Sequence, residues 1–497
     1  MESREEWCAE KLSQLLKDDL RISTLNEIKD HLTSVSQNEA TKTANVLELP
    51  LVFDCLNDPN TEQVDLACEV LTLCMNHLNL GESTNKYSIP LEKALSHPHN
   101  RVKLMALNEI ERNVSNEEAL LSKRVSLINS IIRCIGDNDI TVAKKASDII
   151  VTLGISSAGL KQFMSNDILS VFHEIMALSE VVRLRVYEVV VNISKESEEH
   201  FSHMSSTGLI SQMLEELDSN DVLFRMNVVE LLTQLGLSRH GYKYLEVNGV
   251  LNKLFAFIDD NEDPVLVQLC EPGILKFFGH MANWKPIELL SKYPKLFDRL
   301  FSNIESGDLT IVAVSLDTLG VIGLTNAGKC ALQSTGNKMT YAIKTIVKLL
   351  TSFPTEVRLR ALNCLENLLT VEEHKNDILQ ITRKWYGLFG DDPMEVILRY
   401  AKNPFSELKL AGLGILRAIA EQQWGQEEIH NTPGLVEFLL DRNLETIKEC
   451  KEAKYEIVKC LSTSTVFDQT TLKMFQEFVK EGPFYVHAVT EVALEGN

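Results

Sequence analysis

Paired cysteines, flexible linkers, long apolar runs and a full share of aromatic residues are all missing from this sequence, and each gap excludes something. The ten cysteines include no C-x-x-C pair, so the common spacing of a zinc ribbon or a thiol redox site is absent. Cys68, Cys134, Cys364 and Cys460 sit instead within apolar helical runs, where a thiol packs as a small hydrophobe and is expected to be reduced. No stretch approaches the ~20 uncharged apolar residues of a membrane-crossing helix. The opening Met1-Glu2-Ser3-Arg4-Glu5-Glu6-Trp7 has no apolar core of a signal peptide. A soluble protein is expected, in the cytoplasm and with the nucleus as a second location. Aromatics are only 7% of residues while Leu dominates the apolar set, which disfavours a sheet of aromatic and β-branched strands. Basic residues are also short: 49 against 70 acidic ones give a net charge of −21. That balance opposes the phosphates of nucleic acid and an anionic membrane surface alike, so neither is an expected partner.

What remains is a chain of 497 residues that is 44% hydrophobic and 24% charged, enough to build an extensive core. Its organisation is a repeat. Val182-Arg183-Leu184-Arg185-Val186-Tyr187-Glu188 corresponds to Phe224-Arg225-Met226-Asn227-Val228-Val229-Glu230 and to Val357-Arg358-Leu359-Arg360-Ala361-Leu362-Asn363. Apolar residues follow at helical spacing, as at Val357, Ala361, Leu365 and Leu368, one buried stripe of a 3.6-period helix. Equivalent starts fall at Val64, Val102, Val142, Val182, Phe224, Val267, Ile311, Val357, Leu408 and Cys450, at steps of 38, 40, 40, 42, 43, 44, 46, 51 and 42 residues. Most lie near the ~40–47 residues of HEAT and armadillo units. A preceding helix repeats at Asp167-Ile168-Leu169, Gly208-Leu209-Ile210 and Gly249-Val250-Leu251, giving two helices per unit. The expected fold is therefore all-α, a HEAT/armadillo-type helical-repeat solenoid of about ten units. It is read as one curved rod over residues 1–497, with cap helices in 1–45 and 465–497. A basic residue recurs one place after many of the starts, while an Asp at a fixed offset does not, so the spacing leaves HEAT and armadillo both open.

Chemical motifs are sparse. Gly323-Leu324-Thr325-Asn326-Ala327-Gly328-Lys329-Cys330 has the spacing of a phosphate-binding loop. Its last position is Cys where a magnesium-binding hydroxyl is required, and a repeat helix precedes it where a strand should. The site recurs as Ala158-Gly159-Leu160-Lys161 and His240-Gly241-Tyr242-Lys243, as a turn between repeats would. His173-Glu174 lacks the second His of a zinc-protease helix, and His97 and His99 read as an exposed turn pair. Asn113 and Asn192 open glycosylation sequons that fall at the ends of repeat helices. With no nucleophile elbow or dinucleotide fingerprint either, a protein that binds other proteins, without catalysis, cofactor or metal, is expected.

The more informative pattern is positional. Six residues past successive helix starts stand Asn108, Asp148, Glu188, Glu230, Asp317, Asn363 and Glu456, with Asn192, Gln234 and Asn367 four further on. At about 100° per residue, that offset turns a side chain about 240° from the buried stripe. These residues are the candidate partner-binding strip, weighed against an ordinary solvated face.

Particular strings also carry a resemblance: Ser238-Arg239-His240-Gly241-Tyr242-Lys243-Tyr244-Leu245, Pro272-Gly273-Ile274-Leu275-Lys276-Phe277-Phe278-Gly279, Arg183-Leu184-Arg185-Val186-Tyr187-Glu188 and Glu481-Gly482-Pro483-Phe484-Tyr485-Val486. In these the sequence resembles the 26S proteasome non-ATPase regulatory subunit 5 family of base-assembly chaperones. The region before residue 90 resembles it less. The resemblance implies a chaperone that holds the C-terminal domain of a proteasome ATPase subunit while the regulatory-particle base assembles. The implied intermediate also contains the large non-ATPase scaffold subunit of the base, and the chaperone is absent from the finished particle. The alternatives are a generic armadillo or HEAT scaffold and a nuclear-transport adaptor. The adaptor reading needs Trp-x-x-x-Asn pairs, but Lys11, Glu288, Phe389 and Glu428 stand four places after Trp7, Trp284, Trp385 and Trp424.

Overall fold

A computed structural model describes residues 4–114, 124–163, 165–259 and 263–485. Among them every regular element is a helix, and they divide into two compact units, residues 1–241 and 242–497.

In the first unit the helices Arg21–Ser34, Thr61–Asn76, Asn100–Asn113, Ile140–Ile155, Glu180–Ser194 and Val222–Gly236 pack each against the next, forming a ladder. The second unit has its own ladder: Pro264–Met281, Leu309–Leu324, Thr355–Leu369, Ser406–Ala420 and Lys448–Leu461. Short polar side chains start many of these helices by accepting from amides of the first turn. Asp139 accepts from Thr141 and Val142 at 2.8 and 3.1 Å, Ser179 from Val182 at 3.2 Å, Asp221 from Phe224 at 2.9 Å, and Asp308 from Thr310 at 2.8 Å. Each such cap satisfies donors that the helix cannot. The cap is shared among Asp, Ser and Asn60, and His99, Pro354, Phe405 and Ile447 supply no side-chain cap at all, so no acid recurs at a fixed offset.

The apolar stripe then drives assembly. Val182, Val186, Val189, Val190 and Ile193 are all buried, as are Val357, Ala361, Leu365 and Leu368. Nine of the ten helix starts read from the sequence are buried; Ile311 is half-exposed, and its neighbour Val312 takes the core position.

One correction follows. The repeats of the middle of the chain hold three helices, where the spacing gave two: Ser157–Gln162, Glu198–Ser206 and Asn326–Ser334 each intervene after a ladder helix. Helices of six to nine residues are too short to display a 3.6-residue period, so they read as turns. Three helices per unit is the armadillo arrangement. Arg21–Ser34, within the segment expected to cap the N-terminus, packs on Thr61–Asn76. At the other end Gln469–Glu481 covers Lys448–Leu461, while residues 486–497 of the expected C-terminal cap lie outside the described residues.

Candidate partner-binding face

Counted from the helix caps, the polar strip keeps a constant register. Asn108, Asp148, Glu188, Glu230, Asp317, Asn363 and Glu456 each stand nine residues after the cap of their helix, as Glu188 does after Ser179. In the first unit Asn108, Asp148 and Glu188 are exposed and Glu230 is half-buried. Asn192 and Gln234, one turn on, are half-buried too, and Gln234 Nε2 donates to Glu230 Oε1 at 3.4 Å. Asp148 and Glu188 have no ion-pair partner among the described residues, so their charge faces solvent.

Asn108 also borders a groove of about 420 Å³ with Cys68, Leu104 and Met105. Glu69 closes that groove to further charge by bridging Lys29 at 2.5 Å and Arg101 at 2.8 Å. The hydrogen bond from Lys29 is the main reason the Glu69 carboxyl is held below its usual range.

In the second unit the strip is less available. Arg360, on the next ladder helix, donates to Asp317, so this carboxylate is already matched. Asn363 is exposed, and Asn367 is half-buried with its carbonyl accepting from Lys329 Nζ at 3.3 Å.

Apolar residues beside the caps were not part of the sequence-derived strip. Ile140, Val181 and Leu223 stand exposed in the first turns of successive ladder helices of the first unit. Their signal was an apolar residue one or two places before each buried start, outside the stripe.

The phosphate-loop spacing resolves into packing. Lys329 is fully buried and donates to the carbonyls of Gly323, Leu324 and Asn367, the last two at 3.2 and 3.3 Å. It caps two helix ends, and burial lowers its pKa to about 8. Gly328 is there because a Cβ would lie 1.8 Å from the Ile322 carbonyl oxygen. Gly159 and Gly241 meet Leu153 and Leu235 in the same way at 1.9 and 2.0 Å. At all three joins a hydroxyl three residues earlier, from Thr325, Ser156 or Ser238, accepts from the glycine amide at 3.0–3.1 Å.

The histidines are structural as well. His200 Nε2 donates to Ile155 O at 2.7 Å and His240 Nε2 to Ser194 O at 2.9 Å. His97 is half-buried rather than an exposed turn residue, because its Nε2 donates to Leu56 O at 3.0 Å. Asn113, of the first sequon, is fully buried and donates to Ser83 and Glu109. Trp385 and Trp424 are buried, their indoles donating to Gln333 and Gln422 at 2.9 Å each, so neither clamps a peptide.

A ladder of capped helices bearing an acidic strip, with its one nucleotide-like motif consumed by packing, matches known proteins along its whole length. The profile of the proteasome non-ATPase 26S subunit family matches residues 4–497. The chain belongs to that family. Its relatives named 26S proteasome non-ATPase regulatory subunit 5 include one from Homo sapiens, 31% identical over 98% of both chains. One from Bos taurus is 32% identical over 96% of both, and one from Drosophila melanogaster 28% identical over 100% of this chain and 99% of its own. Among solved structures, importin beta shares the fold of this family member over 95% of this chain and 67% of its own, with a TM-score of 0.59 at 14% identity. That identity bears on the fold alone.

Proposed function

We propose that this member of the proteasome non-ATPase 26S subunit family is an assembly chaperone of the regulatory-particle base. It holds the C-terminal domain of an ATPase subunit, in a precursor that also contains the large non-ATPase scaffold subunit, and it leaves before the particle is complete. The observation that carries the reading is the end-to-end match to relatives named as regulatory subunit 5. The surface is consistent with holding a protein: Asp148 and Glu188 present unmatched charge, and Ile140, Val181 and Leu223 present apolar contacts along the same ladder. Acidic rims of this kind speed association, while the few desolvated contacts set how long a complex lasts. The chain works in the cytoplasm, and also in the nucleus, without catalysis or a cofactor. Purification of the tagged protein from cells, with the bound subunits identified by mass spectrometry, should recover free ATPase subunits and base precursors and not complete proteasomes. A stoichiometric place in intact 26S particles would overturn the chaperone reading.

A further inference from the structure

The last three ladder helices of the first unit, Ile140–Ile155, Glu180–Ser194 and Val222–Gly236, each hold an apolar side chain in solvent within two residues of the cap: Ile140 is 73% exposed, Val181 58% and Leu223 67%. A ladder helix starts as well without one. The same places hold Thr61-Glu62 and Asn100-Arg101 on the two preceding ladder helices, and Thr355-Glu356, Ser406-Glu407 and Lys448-Glu449 in the second unit, where Val265 and Leu309 repeat the apolar choice only as a pair. A fourth exposed side chain, Leu178, reaches across a join: a Cβ on Gly136 would lie 3.0 Å from its Cδ1, which sets Leu178 beside the turn that leads into Ile140. Two arginines of Glu180–Ser194 hold the neighbouring turns against that helix. Arg185 Nη1 donates to Ile135 O and Asp137 O at 3.0 and 2.8 Å, while Arg183 lies 3.5 Å from Glu216 with its guanidinium 5.0 Å from the centre of the Phe224 ring. The four apolar side chains therefore form one row along three adjoining turns. Single apolar residues scattered on a surface need no explanation, whereas a contiguous patch marks a contact site.

The charge facing solvent around this row is acidic. Glu180, Glu215 and Asp221 are exposed and Asp139 is half-buried. Of the four, only Glu180 has an ion-pair partner among the described residues, Arg183 at 3.4 Å. Asp139 and Asp221 each cap a helix with one oxygen, and the second Asp139 oxygen accepts from Asn100 at 2.8 Å. The basic groups of the turns are half-buried and engaged: Arg183 and Arg185 as above, and Lys103, which bridges Asp137 at 2.5 Å. Lys144, one turn into its helix, is exposed and offsets one of the acids, so the row keeps surplus negative charge.

We propose that this row seats a basic amphipathic helix of a partner polypeptide, with one apolar side chain of that helix meeting each turn and its lysines or arginines meeting the acids. Packed helices lie ~8–10 Å apart, which sets the spacing of the turns, and seven residues of helix rise about 10.5 Å. Apolar residues at every seventh position therefore keep step with Ile140, Val181 and Leu223, and an amphipathic helix laid on an apolar surface is recognised through such a stripe. The site deepens the reading of the chain as one that holds a protein, and does not depend on which subunit it holds.

The test is fluorescence anisotropy at low salt, titrating the full-length protein into a labelled helical peptide with leucine at every seventh position, lysines on either side of that stripe, and alanine and glutamine elsewhere. It should bind saturably, and at least tenfold more tightly than a peptide of the same charge with alanine for each leucine, which controls for the pull of a net charge of −21 on any cation. Glutamates in place of the lysines should abolish binding. Ile140→Ser, Val181→Ser and Leu223→Ser combined should weaken it at least tenfold and Glu180→Gln about threefold, with melting temperatures close to that of the wild type because all four positions are exposed. Equal binding of the leucine and alanine peptides, or wild-type affinity in the triple variant, would overturn the site. Equal binding of the glutamate peptide would overturn the charge match, and equal binding of a peptide broken by a central proline would overturn the helical form of the occupant. A triple variant that loses the peptide but still co-purifies with ATPase subunits leaves the chaperone reading standing, and a wild-type protein that binds the peptide yet sits in complete proteasomes loses the chaperone reading alone, so the two proposals fail separately.

Discussion

Lys329 shows how a single side chain can carry the signature of one chemistry and perform another. Its ammonium satisfies carbonyls at the ends of two neighbouring ladder helices, groups that a helix terminus otherwise leaves unpaired. Replacing it by Met should lower the melting temperature without any change in nucleotide binding. The pH dependence gives a sharper test. Burial brings this lysine down to about 8 from its usual 10.5, so between those pH values the unfolded chain holds a proton that the folded chain has released. Stability contributed by this group therefore rises with pH across that window, at about 1.4 kcal/mol per unit of displacement. Thermal denaturation from pH 7 to 10 should show the gap between wild type and Lys329→Met widening toward alkaline pH; a constant gap would mean that the lysine titrates normally in the fold.

At the scale of the element, the join between repeats depends on close approach. The short helices Ser157–Gln162, Arg239–Val247 and Asn326–Ser334 start at a hydroxyl cap and cross the preceding helix end where only a glycine fits, with 1.8 Å from a Cβ at Gly328 to Ile322 O. Gly328→Ala must push the short helix off the ladder and should cost about 1–3 kcal/mol or more, as overpacking does. Gly307→Ala is the control, since a Cβ there meets nothing within 4 Å; by stiffening the unfolded chain it should leave stability level or raise it by up to ~1 kcal/mol. Equal melting temperatures for the two variants would show that the joins tolerate separation. The helix caps give an independent handle on the same elements. Asp139 accepts from the Val142 and Thr141 amides, and Asp139→Ala should lower stability by about 1 kcal/mol in denaturant titrations near neutral pH.

For the molecule as a whole, stability is divided among repeats and binding is spread along a surface. In repeat proteins each unit leans on its neighbours, so Val228→Asp, which buries an unpaired charge at a fully buried position, should unfold adjoining repeats as well as its own. Glu188→Lys combined with Glu230→Lys changes exposed and half-buried positions on the ladder face. Surface substitutions of this kind usually move stability by no more than about 0.5 kcal/mol, so circular dichroism should match the wild type. Binding to the proposed ATPase partner should nevertheless weaken and become less salt-dependent, because these charges meet the partner at close range while most of the field of a chain of net charge −21 stays in place. Unchanged affinity across a salt series would reduce the strip to a solvated face.

The sequence by itself determined the all-helical class, the repeat near forty residues and the buried stripe, because periodic burial is written directly into the order of apolar side chains at Val182, Val186 and Val190 or Val357, Ala361 and Leu365. It also set the register of the polar strip, since the distance from a cap such as Ser179 to Glu188 is fixed within one helix. Only the tertiary structure decided which of those residues remain available. Asp317 is matched by Arg360 from the next ladder helix and Asp148 is left open, a difference that arises between helices some forty residues apart in the chain. The carbonyl cage around Lys329 was hidden for the same reason: the carbonyls of Gly323, Leu324 and Asn367 converge from separate helices, and no spacing along the chain records that convergence. The third helix of the repeat was hidden by its length, too short to display a helical period.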